Sequence, residues 1–283
     1  MTIFRLDHFL SLYLFHPLIK KYSFHNDLRI PILMYHSISN EIANGAHPYY
    51  EINTSLERFE EHIKYLHDNN YSVVNLSDIT KLFDSKNNVT SKYVVLTFDD
   101  GFQDFYSKAF PILNKYNFTA TVFLPTGLIE NQNLKLRGKD HLNWHEVCEL
   151  SKYGVIFGSH SVTHPQLSLS NKDNIEYEIK KSKETIEDKT GEIVHSFSYP
   201  LRFPEEQKPY IKYLKNVLEK CGYLNGVTTR IGLARKDDDI HFLRRIPLNS
   251  YDDLSFFKAK LEGGYDWLYR PQYIYKFLKS KYK

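Results

Sequence analysis

The sequence predicts an α/β protein: parallel strands with helices outside them, in a number that can close into a barrel. Three observations predict this. From Arg29 onward, short β-branched or aliphatic runs alternate with segments of helical period, the mark of repeated strand–helix–strand units. About seven such strands are countable, enough to close into a barrel. The chain has 283 residues, a length that one barrel or doubly wound sheet absorbs, with a core large enough to need no disulfides. Cys148 and Cys221 are its only cysteines, which excludes a disulfide framework and a cysteine-rich zinc site.

The elements follow in order. In the first 28 residues, Phe9-Leu-Ser-Leu-Tyr-Leu-Phe15 is apolar but far shorter than the ~20 residues of a spanning helix. Asp7 and His8 interrupt the approach to it, and no small-residue cleavage pattern follows at His16–Lys21. Residues 1–28 therefore read as an apolar helical extension. It either packs on the domain or on a partner or, with Lys20 and Lys21 flanking bulky apolar residues, lies on a membrane surface. The expected location is the cytoplasm, peripheral at the inner membrane face, with secretion left open. Residues 29–283 read as one domain.

Pro31–His36 is the first buried strand. Phe59, Ile63 and Leu66 give helical spacing to 56–70, with His62 and His67 read as surface residues. Ser77 is the expected cap of a short helix ending near Phe83. Tyr93–Phe98 is the second strand, stopped by Asp99-Asp-Gly101. Residues 104–116 read as helix despite Pro111, and Thr119–Leu124 as the third strand. Helix 144–152, strand 155–157, helix 171–189 and strand 194–199 come next. Helix 209–220, strands 226–229 and 242–246, and helices 252–261 and 273–278 complete the chain.

In such folds chemistry sits at the C-terminal ends of the strands, and polar residues do collect there. His36 ends the first strand, Asp99 and Asp100 the second, His160 the fourth with His164 four residues on, and Tyr199-Pro200 the next. Arg244 and Arg245 lie in the last. Two imidazoles and a carboxylate suit a divalent transition metal, zinc by default, with open positions for water. Cobalt, nickel, manganese and iron are the alternatives. Adjacent strand residues point to opposite faces, and a turn at Gly101 can bring both carboxylates to the mouth. One would hold the metal while the other acts as base, the equipment of metal-assisted hydrolysis. Each element alone has a plainer reading: Asp-Asp-Gly as a turn, His-x-x-x-His as two surface histidines, His36 as a core histidine. Their joint placement at strand ends is what points to a site.

At these residues the chain resembles a known family. Thr97-Phe-Asp-Asp-Gly101, His160-Ser-Val-Thr-His164-Pro165, and between them Phe110-Pro-Ile-Leu-Asn-Lys-Tyr116, Ala120-Thr-Val-Phe123 and Leu142-Asn-Trp144 are similar to the polysaccharide deacetylases with a NodB-homology domain, carbohydrate esterase family four. The resemblance runs from about Pro31 to about Leu261. It implies a distorted (β/α)7 barrel that removes an N-acetyl group from an amino sugar. Asp99 matches the family's base, and Asp100, His160 and His164 its metal triad. A backbone N–H near Leu201 matches its oxyanion donor. Leu33-Met-Tyr-His-Ser37 resembles the circularly permuted branch of poly-N-acetylglucosamine deacetylases, which assigns His36 as the acid that protonates the leaving amine. Trp144 matches a family tryptophan that either stacks on a sugar or packs. Tyr199 and Pro200, at the strand end, are candidate substrate contacts, as is the pair Tyr49-Tyr50.

One departure stands out. In Phe197-Ser-Tyr-Pro-Leu-Arg-Phe203, Ser198 occupies the place where the family often carries the arginine that orients the base. Arg202 and Arg245 are the candidates to replace it.

Three functions follow. The first is metal-dependent deacetylation of an N-acetylated glycan or surface-glycan precursor. The second is removal of a different acyl group, formyl among them, from a lipid-linked sugar. The third is a non-catalytic glycan-binding barrel, supported only by the displaced arginine. The net charge of +3 gives no field for nucleic acid. Loops 39–54 and 130–140 are expected to shape the pocket.

Overall fold

The computed structural model describes residues 5–22, 28–41, 48–84 and 91–281, the side chains of 279–281 excepted. Seven strands form its centre: β1 (Ile32–Tyr35), β2 (Tyr93–Phe98), β3 (Thr121–Leu124), β4 (Ile156–Ser159), β5 (Ser196–Ser198), β6 (Asn225–Ile231) and β7 (Leu243–Pro247). They pair in chain order, all parallel, and β7 returns to β1 through Ile246 beside Leu33, so the barrel closes. Such strands are covered on both faces, which is why they read as near-continuous apolar runs rather than alternating ones. All four residues of β1 and all four of β3 are buried.

Three shorter pairings add to the frame. Ser72–Val73 joins the start of β2. Arg29–Ile30 pairs antiparallel with Ala234–Arg235. Ser37–Ile38 pairs with Asn53–Thr54 at the mouth end of β1. Of the loop before Asn53, residues 42–47 lie outside the described residues.

The helices carry their own start and stop signals. Ser55 Oγ accepts the Arg58 N–H to begin Leu56–Asp68, whose buried stripe is Phe59, His62, Ile63 and Leu66. Asn143 and Glu146 form a reciprocal capping box for Trp144–Lys152. Gly191, at φ +74°, ends Lys172–Thr190. Pro111 lacks an N–H and crowds the preceding turn. The wider π turn Phe105–Ala109 precedes the α-helical Phe110–Lys115 and leaves Pro111 in its first turn.

Four expectations change. Ser77 caps nothing: it sits inside the 3-10 turn Leu76–Asp78, and Ile79–Asp84 follows directly. The strand expected over 194–199 shrinks to three residues, so Tyr199 lies past its end. The last helix is longer, Tyr269–Lys281. His62 is fully buried rather than at the surface. It stacks on Phe257 at 4.0 Å, donates through Nε2 to the Asp252 carbonyl (2.8 Å) and meets the Tyr35 hydroxyl at Nδ1 (3.1 Å). Burial pulls its pKa down to about 4.

We label as α1 the helical run 6–22, built of Leu6–Leu10, a π turn Ser11–Phe15 and His16–Tyr22. Its inner face docks on the barrel. Phe15 stacks on Trp267 (4.7 Å), whose indole N–H donates to Ser11 Oγ (3.0 Å). His16 Nε2 meets Glu262 at 2.8 Å. Arg5 reaches Asp7 (2.5 Å) and Asp252 (3.6 Å), and Lys260 closes on Asp252 at 2.9 Å. Among the described residues, no helix is long and apolar enough to cross a membrane.

Candidate active site

The site is built where β2 stops. Asp99 continues the strand and points inward. Asp100 takes a left-handed φ of +71° and Gly101 one of +56°, which swings the Asp100 side chain toward the mouth. A left-handed non-glycine residue is unfavourable by about 1–2 kcal/mol, so the turn has to be held. His141 holds it: its Nδ1–H donates to the Asp100 carbonyl (2.9 Å), while its Nε2 accepts the Leu136 N–H (3.3 Å). At Gly101 an added Cβ would meet Leu124 Cδ2 at 2.8 Å, so any side chain there would have to displace that methyl in addition to adopting the left-handed φ.

Asp100 Oδ1 lies 3.3 Å from His160 Nε2 and 3.1 Å from His164 Nε2, yet it is buried and accepts no well-directed hydrogen bond. His160 Nδ1–H donates to the Ser198 carbonyl (2.8 Å), which fixes the tautomer and leaves the Nε2 lone pair facing Asp100. The segment bearing His164 is strained, with Ser161 at φ +67° and His164 at +58°. Glu178, reaching over from its helix, clamps it by accepting the N–H groups of Val162 (2.7 Å) and Thr163 (2.9 Å) and the Thr163 hydroxyl (2.6 Å).

Three donor atoms within 4.8 Å of one another, one of them an orphaned buried carboxylate oxygen, fit a divalent cation. Tetrahedral ligation at 2.0–2.1 Å would set ligand atoms about 3.3 Å apart, close to the two Asp100–imidazole separations. Burial pushes the Asp100 carboxyl up, but contact with His160 and His164 outweighs it and holds the group well below the usual carboxylate range. The set therefore stands ready as an anion between two imidazoles.

Asp99 has separate partners. Arg245, on β7 and fully buried, donates to both its oxygens, Nη1 to Oδ1 at 2.7 Å and Nη2 to Oδ2 at 2.6 Å. Arg245 is itself anchored on the Thr228 carbonyl (3.0 Å) and Thr97 Oγ1 (3.3 Å). Ser198 Oγ sits between the two, accepting from Arg245 Nη2 (3.1 Å) and lying 3.2 Å from Asp99 Oδ1. Burial pushes the Asp99 carboxyl up, and the charge and hydrogen bonds of Arg245 together with the nearby His160 and His36 more than offset it, so its pKa is lowered.

Of the expected residues, His36, Asp99, Asp100, His160, His164, Leu201 and Arg202 line one cavity of about 480 Å³ at the barrel mouth, with Tyr49 and Tyr50 on its wall. Burial pulls the His36 pKa down against the charges of Asp100 and Asp99. Leu201 is exposed at φ +58°, its carbonyl accepting from Thr229 Oγ1 (3.2 Å). Its N–H makes no hydrogen bond among the described residues.

Other expectations are corrected. Arg202 does not orient Asp99; it pairs with Glu206 and faces the Lys276 carbonyl (3.4 Å). Tyr199 is packed among Phe197, Phe203 and Phe242 inside the barrel wall, and Pro200 beside it is buried, so neither borders the cavity. Trp144 opens its helix, packs on the core and lies under the Lys189 ammonium (5.8 Å), away from that lining. Sequence reasoning missed Glu178 and the tether by His141. Glu178 lies on a charged helix where nothing in the pattern singles it out.

The family model for polysaccharide deacetylases matches residues 86–225. YxkH of Bacillus subtilis, whose name provisionally assigns it to the polysaccharide deacetylases, is 31% identical over 83% of this chain and 77% of its own. The chain belongs to the polysaccharide deacetylase family. A Staphylococcus aureus poly-β-1,6-N-acetyl-D-glucosamine N-deacetylase is 30% identical over 54% of this chain, a match that spans about half of that protein (49%). Among solved structures, the Streptococcus pyogenes deacetylase PplD, in complex with acetate, superposes with a TM-score of 0.72 at 26% identity, over 83% of this chain and 99% of that one. IcaB of Ammonifex degensii shares the fold with a TM-score of 0.66 at 19% identity, over 84% of this chain and 98% of its own. The matched stretch holds Asp99, Asp100, His160 and His164. His36 and Arg245 lie outside it and are brought in by barrel closure through β7 and β1.

Proposed function

We propose that this member of the polysaccharide deacetylase family is a metal-dependent deacetylase that hydrolyses the N-acetyl group of an amino sugar in a glycan or glycan precursor. The observation that carries the reading is the division of labour between Asp99 and Asp100. Two adjacent carboxylates face different partners, Asp99 a guanidinium and Asp100 two imidazoles. A divalent ion held by Asp100, His160 and His164 would polarise the amide carbonyl and lower the pKa of a water to about 7.

The chain's own groups do the rest. Asp99 takes the proton from the attacking water, and Arg245 keeps it ionised and aimed. The unpaired Leu201 N–H stands at the cavity wall to receive the developing oxyanion. His36 delivers a proton to the departing amine nitrogen. The non-catalytic alternative rested on the arginine displaced from the Ser198 position, and Arg245 fills that role from β7. Acetate release from N-acetylglucosamine oligomers, β-1,6-linked ones included, tests the reading. Metal-loaded protein is expected to release acetate and chelated protein none. Metal-loaded protein that binds these oligomers without releasing acetate would contradict it.

A further inference from the structure

The bulky apolar side chains that face solvent are not spread evenly. Ten of the twenty found exposed among the described residues lie on two helices, α1 and the last helix Tyr269–Lys281. Tyr13, Leu14, Leu18 and Tyr22 project from the first, and Ile274 and Leu278 from the second. Their bases adjoin: Phe15 stacks on Trp267, and Leu12 and Leu268 pack against the same small core of Ile231, Phe256 and Tyr265. Apolar exposure concentrated in this way marks an interaction surface.

The charges on these helices have one sign. Asp7 is the single acidic residue of either helix, and it is turned inward onto Arg5 and the Tyr265 hydroxyl (3.0 Å). Lys21 and Arg270 are exposed on the outer faces without a carboxylate partner among the described residues. The last helix also has an inner face, where Gln272 and Lys276 line the catalytic cavity.

We propose that the outer faces of these two helices form one docking surface for a lipid bilayer with anionic headgroups. Bulky apolar residues beside lysine and arginine, with no exposed carboxylate on the helix itself, are what an interfacial helix presents to such a membrane; the carboxylates that border α1, Asp253 and Glu262, meet His8, His16 and Lys20. Because the last helix borders the cavity on its other side, docking seats the mouth next to the bilayer. The proposal goes beyond the catalytic reading, and its test uses no substrate.

The test is flotation of the full chain with vesicles of phosphatidylcholine alone and of phosphatidylcholine mixed with phosphatidylglycerol. The native protein is expected to float with the anionic vesicles and to remain behind with the neutral ones. Lys21→Gln with Arg270→Gln should weaken binding about 30-fold, at ~1 kcal/mol for each cation. Tyr13→Ser with Leu18→Ser and Ile274→Ser should abolish it in protein whose circular dichroism and melting are native-like. Failure to float with anionic vesicles, or equal flotation with neutral ones, would overturn the proposal. So would binding that survives both sets of substitutions. A dimer that buries these residues and ignores vesicles would assign the surface to a second copy of the chain instead.

Discussion

Two buried ionic networks flank the barrel, and they serve different ends. Arg5, Asp7, Asp252 and Lys260 join α1 to the barrel, with two cations facing two carboxylates. Lys260 Nζ further donates to the Pro247 carbonyl (2.7 Å) and lies over the rings of Phe256 and Tyr265, each at 4.6 Å. None of its residues lines the catalytic cavity, and its charges balance internally. Among the described residues, Asp99 and Asp100 are two carboxylates in ion-pair contact with one permanent cation, Arg245, and the group opens on the cavity. The balance there is left to a ligand. A buried ionic network reads as structural when its charges close on themselves, and as a site when they do not.

The comparison can be broken, from the largest effect down. Arg245→Met leaves Asp99 buried without its cation, and stability should fall by about 3–5 kcal/mol. Asp99 has a lowered pKa, so its stabilising contribution is present above ~3.9 and lost as pH falls through its folded value. Without Arg245 that pKa rises, so the acid limb of kcat/KM should move to higher pH. A limb that stays in place would separate Arg245 from the base. Asp252→Asn should destabilise by a similar ~3–5 kcal/mol, by leaving the buried Lys260 without its carboxylate, and leave the acid limb unmoved; urea titration beside a pH–rate profile checks both.

His62 sharpens the structural side. Its folded pKa of about 4 lies below the ordinary value of 6.5. The unfolded chain therefore binds the extra proton between those two values, and His62 costs the native state about 3 kcal/mol as pH falls through that window. Native protein should lose this stability on acidification from pH 6.5 to 4, and His62→Gln should flatten that slope. The smallest effect belongs to Ser198→Ala. It removes a hydroxyl bridging Asp99 and Arg245, for ~1–2 kcal/mol of stability, and should lower turnover far less than Arg245→Met does.

Much of this was legible in the sequence, for physical reasons. Strand–helix alternation gave the barrel, because strands covered on both faces must be apolar throughout. Asp99, Asp100, His36, His160 and His164 were visible because each sits just past a strand. Residues whose role depends on reach were not. Arg202 and Arg245 could not be separated by pattern: only barrel closure brings β7 within one strand of β2, where Arg245 reaches Asp99, while Arg202 turns to Glu206. Tyr199 stood at a strand end in the text, but the strand stops one residue earlier and its ring enters the wall. His62 was readable after all, since positions 59, 62, 63 and 66 form one helical stripe; its polarity hid it.

The central claim is that adjacent Asp99 and Asp100 do different work. The direct measurement is metal stoichiometry and acetate release on the same preparations of native, Asp99→Asn and Asp100→Asn protein. The account predicts that Asp99→Asn keeps about one metal ion per chain and loses turnover by roughly 10²- to 10⁴-fold. It predicts that Asp100→Asn loses metal and turnover together. Asp99→Asn protein that turns over at the native rate, or Asp100→Asn protein that holds metal as the native chain does, would contradict it.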